Sequence, residues 1–353
     1  MKTIGIGLIG AGFAARERHL TGLRTVPNAS VRIVCARDSN NARRIAGEFG
    51  IPHVTGHWKE VIESPQVDAV IIATPPGMHA EITVAALEAG KHVLCQGRMA
   101  RNLTEARRMA AAALKSDRIT ALYPPKPGLK GDRVVQRLLN DGQAIGEVHE
   151  IRVASMAMDA TRPGYDWRTD PDVVGVNVMA LGMWAEVLHR WVGRAKVVAA
   201  LSATRLGSRI TAEGKTATSV IPNSLSISAS MECGAQASFH FSNVCPVGVG
   251  HSIEIFGTNG ALRYELFKEN LWVSSNGEKT LQSVEISPEE ERQQSTDREF
   301  IEAIRDGAAV SPDFEDGLAY MTFCESVAAS CFTGKKVGLA DVQPFMDSWE
   351  RPL

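Results

Sequence analysis

Ile4-Gly5-Ile6-Gly7-Leu8-Ile9-Gly10-Ala11-Gly12-Phe13-Ala14-Ala15 is an apolar strand that runs into a glycine turn, and its last six residues match GxGxxA, a variant of the dinucleotide fingerprint. Each position has a physical reason. Gly10 permits a tight strand-to-helix turn, Gly12 lets the backbone approach a pyrophosphate, and Ala15 keeps the following helix close to the strand. The positive end of that helix, with the unpaired N–H groups of Phe13 and Ala14, would hold the phosphates. Glycine turns also serve purely structural ends. The place of this one, between strand and helix at the start of a repeated βα pattern, decides for nucleotide binding.

Working outward, residues 4–123 alternate short β-branched runs (IGIGLIG, VRIVCA, DAVIIAT, KHVLCQ, ITALY) with helical stretches. That rhythm predicts a parallel sheet, an N-terminal Rossmann dinucleotide-binding domain over 1–123. One of its helices is expected to open at Thr104-Glu105-Ala106-Arg107. Pro124-Pro125-Lys126-Pro127-Gly128 then breaks both helix and strand and marks a domain hinge. Over 124–353 the period changes. DRVVQRLLNDG reads as a helix closed by Gly142, followed by strand-like runs VHEIRVASMAM, KVVAALSATRL, LSISASMEC, AQASFHFSNV, HSIEIFGTNGALRYEL, LWVSS and SVEIS. The fold class is therefore α/β, with a C-terminal α/β domain built on a large, mainly antiparallel open sheet. FIEAIRDG and 316–333 are expected helices that return to the first domain or to the sheet face.

With 353 residues the chain is long enough for two cores, and 44% hydrophobic and 22% charged residues describe a globular protein. A net charge of −2 with no clustered Lys/Arg stripe argues against nucleic-acid or membrane partners. Cysteines 35, 95, 233, 245, 324 and 331 form no CxxC pair and read as buried free thiols of a reducing compartment. With no leader-like segment and no apolar run of about 18 residues, the expected location is the cytoplasm. The nine histidines form no HxH or HExxH group, so no metal site is expected.

The end of the second strand discriminates between nicotinamide cofactors, because an acid there bonds a free ribose 2′-OH and repels a 2′-phosphate. The chain reads Val34-Cys35-Ala36-Arg37-Asp38. Ala36 stands where the acid is expected, and Arg37 offers a guanidinium fork to phosphate oxygens, which points to NADP(H). The alternative is a solvated Arg37, with Asp38 or Asn40 capping the next helix.

GLIGAGFAA, DAVIIATPPGMHAEITVAALEAGKHVLCQGRMA, DGQAIGEVHEIRV, Asp166-Trp167-Arg168, IEIFGTNGALRYE and FIEAIRDG together resemble the Gfo/Idh/MocA oxidoreductase family, the group that includes glucose-fructose oxidoreductase and inositol dehydrogenases. The resemblance covers nearly the whole chain. It implies a Rossmann domain followed by a domain whose open sheet walls the substrate cavity and joins subunits, hence a homo-oligomer, dimer or tetramer. It also implies that Thr74, Pro75 and His79 lie along the cofactor, with Gln96, Arg98, Trp167 and Arg168 in the cofactor-contacting set. His79 also reads as a helix-start residue satisfied by backbone.

Three positions depart from the family pattern. Where its sugar and cyclitol oxidisers have Glu-Lys-Pro, this chain has Gln96-Gly97-Arg98. Where the family places an Asp and, four residues on, a His, it has Ala180 and Trp184. A positioned acid or base contributes about 10²- to 10⁴-fold to rate, so another group must move the proton. Lys126, Glu186 and His189 are the catalytic candidates, the last two because residues three apart meet on one helix face. Lys126 and Trp184 are the substrate-binding candidates, Trp184 as an apolar wall able to stack on a ring. The expected function is NADP(H)-dependent oxidation or reduction of a carbohydrate-like or cyclic substrate. A redox-neutral lyase or glycosidase and a non-catalytic NADP(H)-binding sensor are the alternatives.

Overall fold

Burial of Ile4, Ile6, Leu8 and Ile9 on both sides of one strand requires layers on each face of its sheet, and Ile4–Ile9 (β1) lies inside such a sheet. The computed structural model describes residues 3–124, 129–157, 164, 167–211, 213–248, 250–292, 295–349 and 351–352, so Lys126 and Asp166 lie outside the described residues. β1 joins Ala29–Cys35 (β2), His53–Thr55 (β3), Ala69–Ile72 (β4), His92–Gln96 (β5) and Thr120–Tyr123 (β6) in the order β3-β2-β1-β4-β5-β6. Every pairing is parallel. The order reverses between β1 and β4, the switch point at which such sheets bind ligands. Only β3 was hidden from the sequence: His53-Val54-Thr55 is three residues at the sheet edge, too short to show a period.

Helix α1 follows the glycine turn, π-helical over Ala15–Leu20 and α-helical over Thr21–Leu23. Next come α2 (Ser39–Phe49), α3 (Trp58–Glu63), α4 (His79–Glu88) and α5 (Leu103–Leu114). α5 begins one residue before the expected Thr104, because Asn102 caps it, its side chain accepting the Glu105 N–H at 3.0 Å.

The chain divides into two units, 1–127 with 294–318, and 128–293 with 319–353. The first therefore contains Thr296–Asp306 (α9), whose Phe300 and Ile301 complete the core around Ile4, Ile6 and Leu20.

The second unit holds a nine-stranded sheet. Its strands are Val148–Met156 (β7), Ala195–Ala203 (β8), Ser224–Met231 (β11), Gln236–Ser242 (β12), Gly250–Gly257 (β13), Ala261–Glu265 (β14), Asn270–Ser274 (β15), Gln282–Val284 (β16) and Val337–Gly338 (β17), while Ser208–Ile210 (β9) and Thr216–Thr218 (β10) form a separate hairpin. The order is β16-β15-β14-β13-β7-β12-β11-β8-β17. All pairs are antiparallel except β12 with β7. Alternation shows in β11, where Leu225, Ile227 and Ala229 are buried and Ser226 and Ser228 exposed. The buried face is covered by Leu181–Val192 (α8) and Phe314–Thr333 (α10): Trp184 packs 5.8 Å from Phe241, Trp191 5.5 Å from Tyr264, and Phe323 5.5 Å from Phe239. The expected helix DRVVQRLLNDG is Asp132–Asn140 (α6).

The thiols depart from expectation. All six are free, but only Cys35, Cys95 and Cys324 are buried; Cys233, in the polar turn between β11 and β12, is exposed.

Candidate functional site

The glycine turn has the geometry its sequence requires. Gly10 has φ +115°, and a Cβ there would stand 2.6 Å from the Ala73 carbonyl oxygen, so no larger residue fits. A Cβ on Gly12 would meet nothing within 4 Å, which leaves open space beside the helix start. Gly12 O accepts from Arg16 N at 3.1 Å, so the N–H groups of 13–15 have no acceptor within α1. Phe13 is 73% exposed and Ala14 half-buried. Across the switch point Thr74 Oγ1 is buried with no hydrogen-bond partner among the described residues. Open space over a glycine, free helix N–H groups and an orphaned hydroxyl fit a dinucleotide pyrophosphate and the ribose beyond it.

At the end of β2, Ala36 is half-buried and Arg37 exposed. Asp38 caps α2, accepting from Asn40 N at 3.0 Å and Asn41 N at 3.3 Å. The acid next to Arg37 in sequence is thereby turned to its own helix.

Thr74 and Pro75 end the segment after β4, and His79 ties that segment to the one after β5. Its Nε2 lies 2.8 Å from Thr74 O, and its Nδ1 lies 2.9 Å from Arg98 O and 3.2 Å from Met99 O. The ring is 1% exposed, and burial holds its pKa below the ordinary histidine value against the pull of those carbonyl oxygens. His79 is thus a clamp between two loops, the helix-start reading of it.

Gln96 is also buried, in a polar chain with no local sequence signature. Its amide donates to His19 Nε2 at 2.8 Å, and His19 Nδ1–H donates to Asp297 Oδ1 at 2.7 Å. The partners are 77 and 278 residues away, so no local pattern could pair them. Tyr123 packs edge-on to His19, and burial pushes its hydroxyl up to about 12.

In the second unit Met179 and Ala180 are left-handed, φ +50° and +57°, at the start of α8. Buried Asn177 accepts the Gly182 N–H at 2.9 Å and holds this turn. Trp184 is 1% exposed, inside the core. Glu186 pairs with Arg190 at 3.1 Å, and Arg190 also reaches buried Asp132 at 2.7 Å. His189 packs edge-on against Phe323, with its pKa lowered to about 4 by burial and by Arg194. These partners make the end of α8 a packed polar knot. Arg168 lies over the Trp167 ring at 4.4 Å. A half-buried pair that the sequence did not single out, His251 and Ser155, stands beside Trp184: Ser155 Oγ is 2.9 Å from His251 Nδ1, and the His251 and Trp184 rings are stacked with centroids 6.5 Å apart. No group of three or more metal-ligating side chains occurs among the described residues, and none of their helices is long and apolar enough to cross a membrane.

Residues 4–123 match the family model described as "Oxidoreductase family, NAD-binding Rossmann fold", and residues 133–263 match the "GFO/IDH/MocA C-terminal domain". Levoglucosan dehydrogenase of Pseudarthrobacter phenanthrenivorans is 30% identical over 182 residues, 49% of this chain and 44% of that protein. The dTDP-3,4-didehydro-2,6-dideoxy-alpha-D-glucose 3-reductase of Saccharopolyspora spinosa is 34% identical over 151 residues, 42% of this chain and 44% of that protein. The chain thus spans under half the length of these two curated relatives. Among solved structures, levoglucosan dehydrogenase in complex with NADH and levoglucosan shares the fold with a TM-score of 0.84 at 21% identity, covering 96% of this chain and 100% of that one. Two matched domains in sequence order, a Rossmann sheet and a nine-stranded open sheet lead to one conclusion. The chain belongs to the Gfo/Idh/MocA oxidoreductase family.

Proposed function

We propose that this protein is an NADP(H)-dependent oxidoreductase acting on a carbohydrate-like or cyclic alcohol or carbonyl compound, with its proton moved by a group other than the family lysine. The cofactor choice rests on one observation: the β2 end presents an exposed Arg37 after Ala36, while the Asp38 carboxylate is occupied in capping α2. A free guanidinium favours a ribose phosphate and an absent acid removes the repulsion against it. The substrate class rests on relatives named for levoglucosan and for a glucose derivative.

Gly10, Gly12, Phe13 and Ala14 would hold the pyrophosphate, Ala36 and Arg37 the adenosine ribose phosphate, and Thr74, Pro75, Gln96 and Arg98 the nicotinamide half. His79 acts on that half through the two loops it ties together. A bound nicotinamide supplies hydride transfer. The protein's own task is to orient it, exclude water and handle one proton. Glu186, His189 and Lys126 are the first candidates for that proton, although Glu186 is committed to Arg190.

The outer face of the large sheet carries a groove of about 670 Å³ lined by Arg152, Leu201, Ser226, Ser228, Ser238 and His240. We read this face as the surface joining copies in a homo-oligomer.

The test of the cofactor reading is the double variant Ala36→Asp/Arg37→Ala. Loss of a charge-assisted contact worth about 1.5–3 kcal/mol should weaken NADPH binding by about ten- to a hundredfold and strengthen NADH binding. An unchanged NADPH-to-NADH ratio would overturn it. Turnover of a panel of sugars, ketoses and cyclic enones then separates an enzyme from a sensor, which binds and consumes nothing.

A further inference from the structure

We propose that Asp297 and His19 are positioning residues for the dinucleotide: together they fix the Gln96 carboxamide so that its oxygen, not its NH2 group, meets the nicotinamide half. The inference rests on the dinucleotide reading above and lies wholly within the first unit.

Three elements bring these side chains together. His19 stands in the π-helical opening of α1, where Ala15, His19 and Leu20 are buried, and wide helical turns of this kind recur at functional sites. Asp297 lies in the first turn of α9, where the positive helix end favours an anion. Gly22 lets the two helices approach: a Cβ there would stand 2.9 Å from Asp297 Oδ2. Gln96 ends β5. With Cys95 level with Ile72 of β4, Gln96 is level with Ala73, whose carbonyl on its other side lies against Gly10. Thr74, with its buried hydroxyl lacking a partner among the described residues, is next. The Gln96 side chain thus sits at the edge where doubly wound sheets bind ligands. His19 is 0% exposed and Asp297 2%. Apolar side chains in place of such a buried pair are often neutral or stabilising, so stability alone does not account for it.

The hydrogen-bond roles run in one direction. The Asp297 carboxylate only accepts, so His19 Nδ1 carries the proton of the 2.7 Å bond. In the neutral ring Nε2 then holds the lone pair, and the 2.8 Å bond from Gln96 comes from the amide NH2. Tyr123, edge-on with its ring centroid 4.5 Å away, packs the imidazole in this plane. One end of the carboxamide is spent on His19, and Oε1 is left. It takes no hydrogen bond from any described residue, although Gln96 is only 6% exposed. A nearly buried acceptor without a donor, at the ligand edge of the sheet, takes one from the ligand. The nicotinamide half offers a ribose O–H and a carboxamide N–H. Without Asp297 the imidazole proton could sit on either nitrogen, and the amide could present either end. A carboxylate at 96 offers no proton to Nε2, so the amide found there in place of the family Glu matches the acid at 297.

The test separates the two halves of the dinucleotide. Calorimetry on the full-length protein compares NADPH with 2′,5′-ADP, which shares the adenosine phosphates and lacks the nicotinamide half; if NADH is the tighter dinucleotide, NADH and ADP form the pair. Gln96→Met, similar in length, should weaken NADPH by about three- to tenfold, the effect of one hydrogen bond, and leave 2′,5′-ADP unchanged. Gln96→Glu, whose oxygens only accept, should bind NADPH more tightly than Gln96→Met does. Asp297→Leu, which frees the tautomer, should weaken NADPH and again spare 2′,5′-ADP. Nitrogen NMR of the wild-type protein with labelled histidine, assigned through His19→Asn, should find the His19 proton on Nδ1, a readout that stands even where Asp297→Leu does not fold. Unchanged NADPH affinity in Gln96→Met, equal losses for NADPH and 2′,5′-ADP, a Gln96→Glu protein no better than Gln96→Met, or a proton on His19 Nε2 overturns the inference. Heat from neither dinucleotide with the wild-type protein overturns instead the reading on which it rests.

Discussion

Two residues carry backbone conformations that decide what can replace them. Gly10, at φ +115° with the Ala73 carbonyl where a Cβ would go, has no room to vary. Gly10→Ala should cost about 2–4 kcal/mol, read as a lower denaturation midpoint, because strain and overlap add. Ala180 is the opposite case. Its φ of +57° costs an L-residue about 1 kcal/mol that glycine does not bear, so Ala180→Gly should raise stability by roughly that amount in urea unfolding. A fall instead would mean that the alanine methyl contributes packing worth more than the strain. The clamp at His79 acts through its side chain instead. His79→Leu should loosen the Thr74 and Arg98 loops together, weakening dinucleotide binding along with stability.

At the scale of elements, buried ion pairs and helix caps join what sequence distance separates. Asp132 on α6 accepts from Arg190 at 2.7 Å, from Arg292 and from Trp191 Nε1, so one carboxylate fastens α6, α8 and the chain near 292. Asp132→Ala leaves two guanidinium groups short of their counter-charge and should cost about 3–5 kcal/mol in chemical denaturation. Legibility divides along the same line. β1, β2, β4, β5 and β6 were readable because both-face burial writes apolar runs into the sequence, and β11 and β12 because one-face burial writes alternation. The β9–β10 hairpin and β17 are only three and two residues long, below any period. In the site, the glycine turn could be read from local spacing, and the altered Gly97, Ala180 and Trp184 positions from the family resemblance. The pairs His19–Asp297 and Ser155–His251 could not, since each joins distant strands or helices through topology alone.

For the whole molecule, pH and self-association give the next checks. The pKa of His189 falls from the ordinary 6.5 to about 4, so on acidification the unfolded chain takes up its proton first. Stability is then complete above about pH 6.5 and falls as pH drops toward 4, by about 2–3 kcal/mol for this residue; buried His79 acts in the same direction. His189→Leu should flatten that fall in thermal scans between pH 7 and 4.5. Leu201, 73% exposed on the outer sheet face beside Ser226 and Ser228, belongs to the surface read as joining subunits. Leu201→Arg should convert the oligomer to monomer in sedimentation velocity, and a wild-type protein already monomeric at micromolar concentration contradicts that reading. Dinucleotide binding depends above all on the glycine turn as a phosphate cradle. Gly12, over which nothing lies within 4 Å, gives the cleanest separation of binding from folding. Calorimetry of NADPH and NADH with the wild-type protein and with Gly12→Ala tests it directly. The predicted result is NADPH bound at least about tenfold more tightly than NADH, with both lost in a Gly12→Ala protein of unchanged melting temperature. Heat from neither dinucleotide, or undiminished binding by Gly12→Ala, would contradict it.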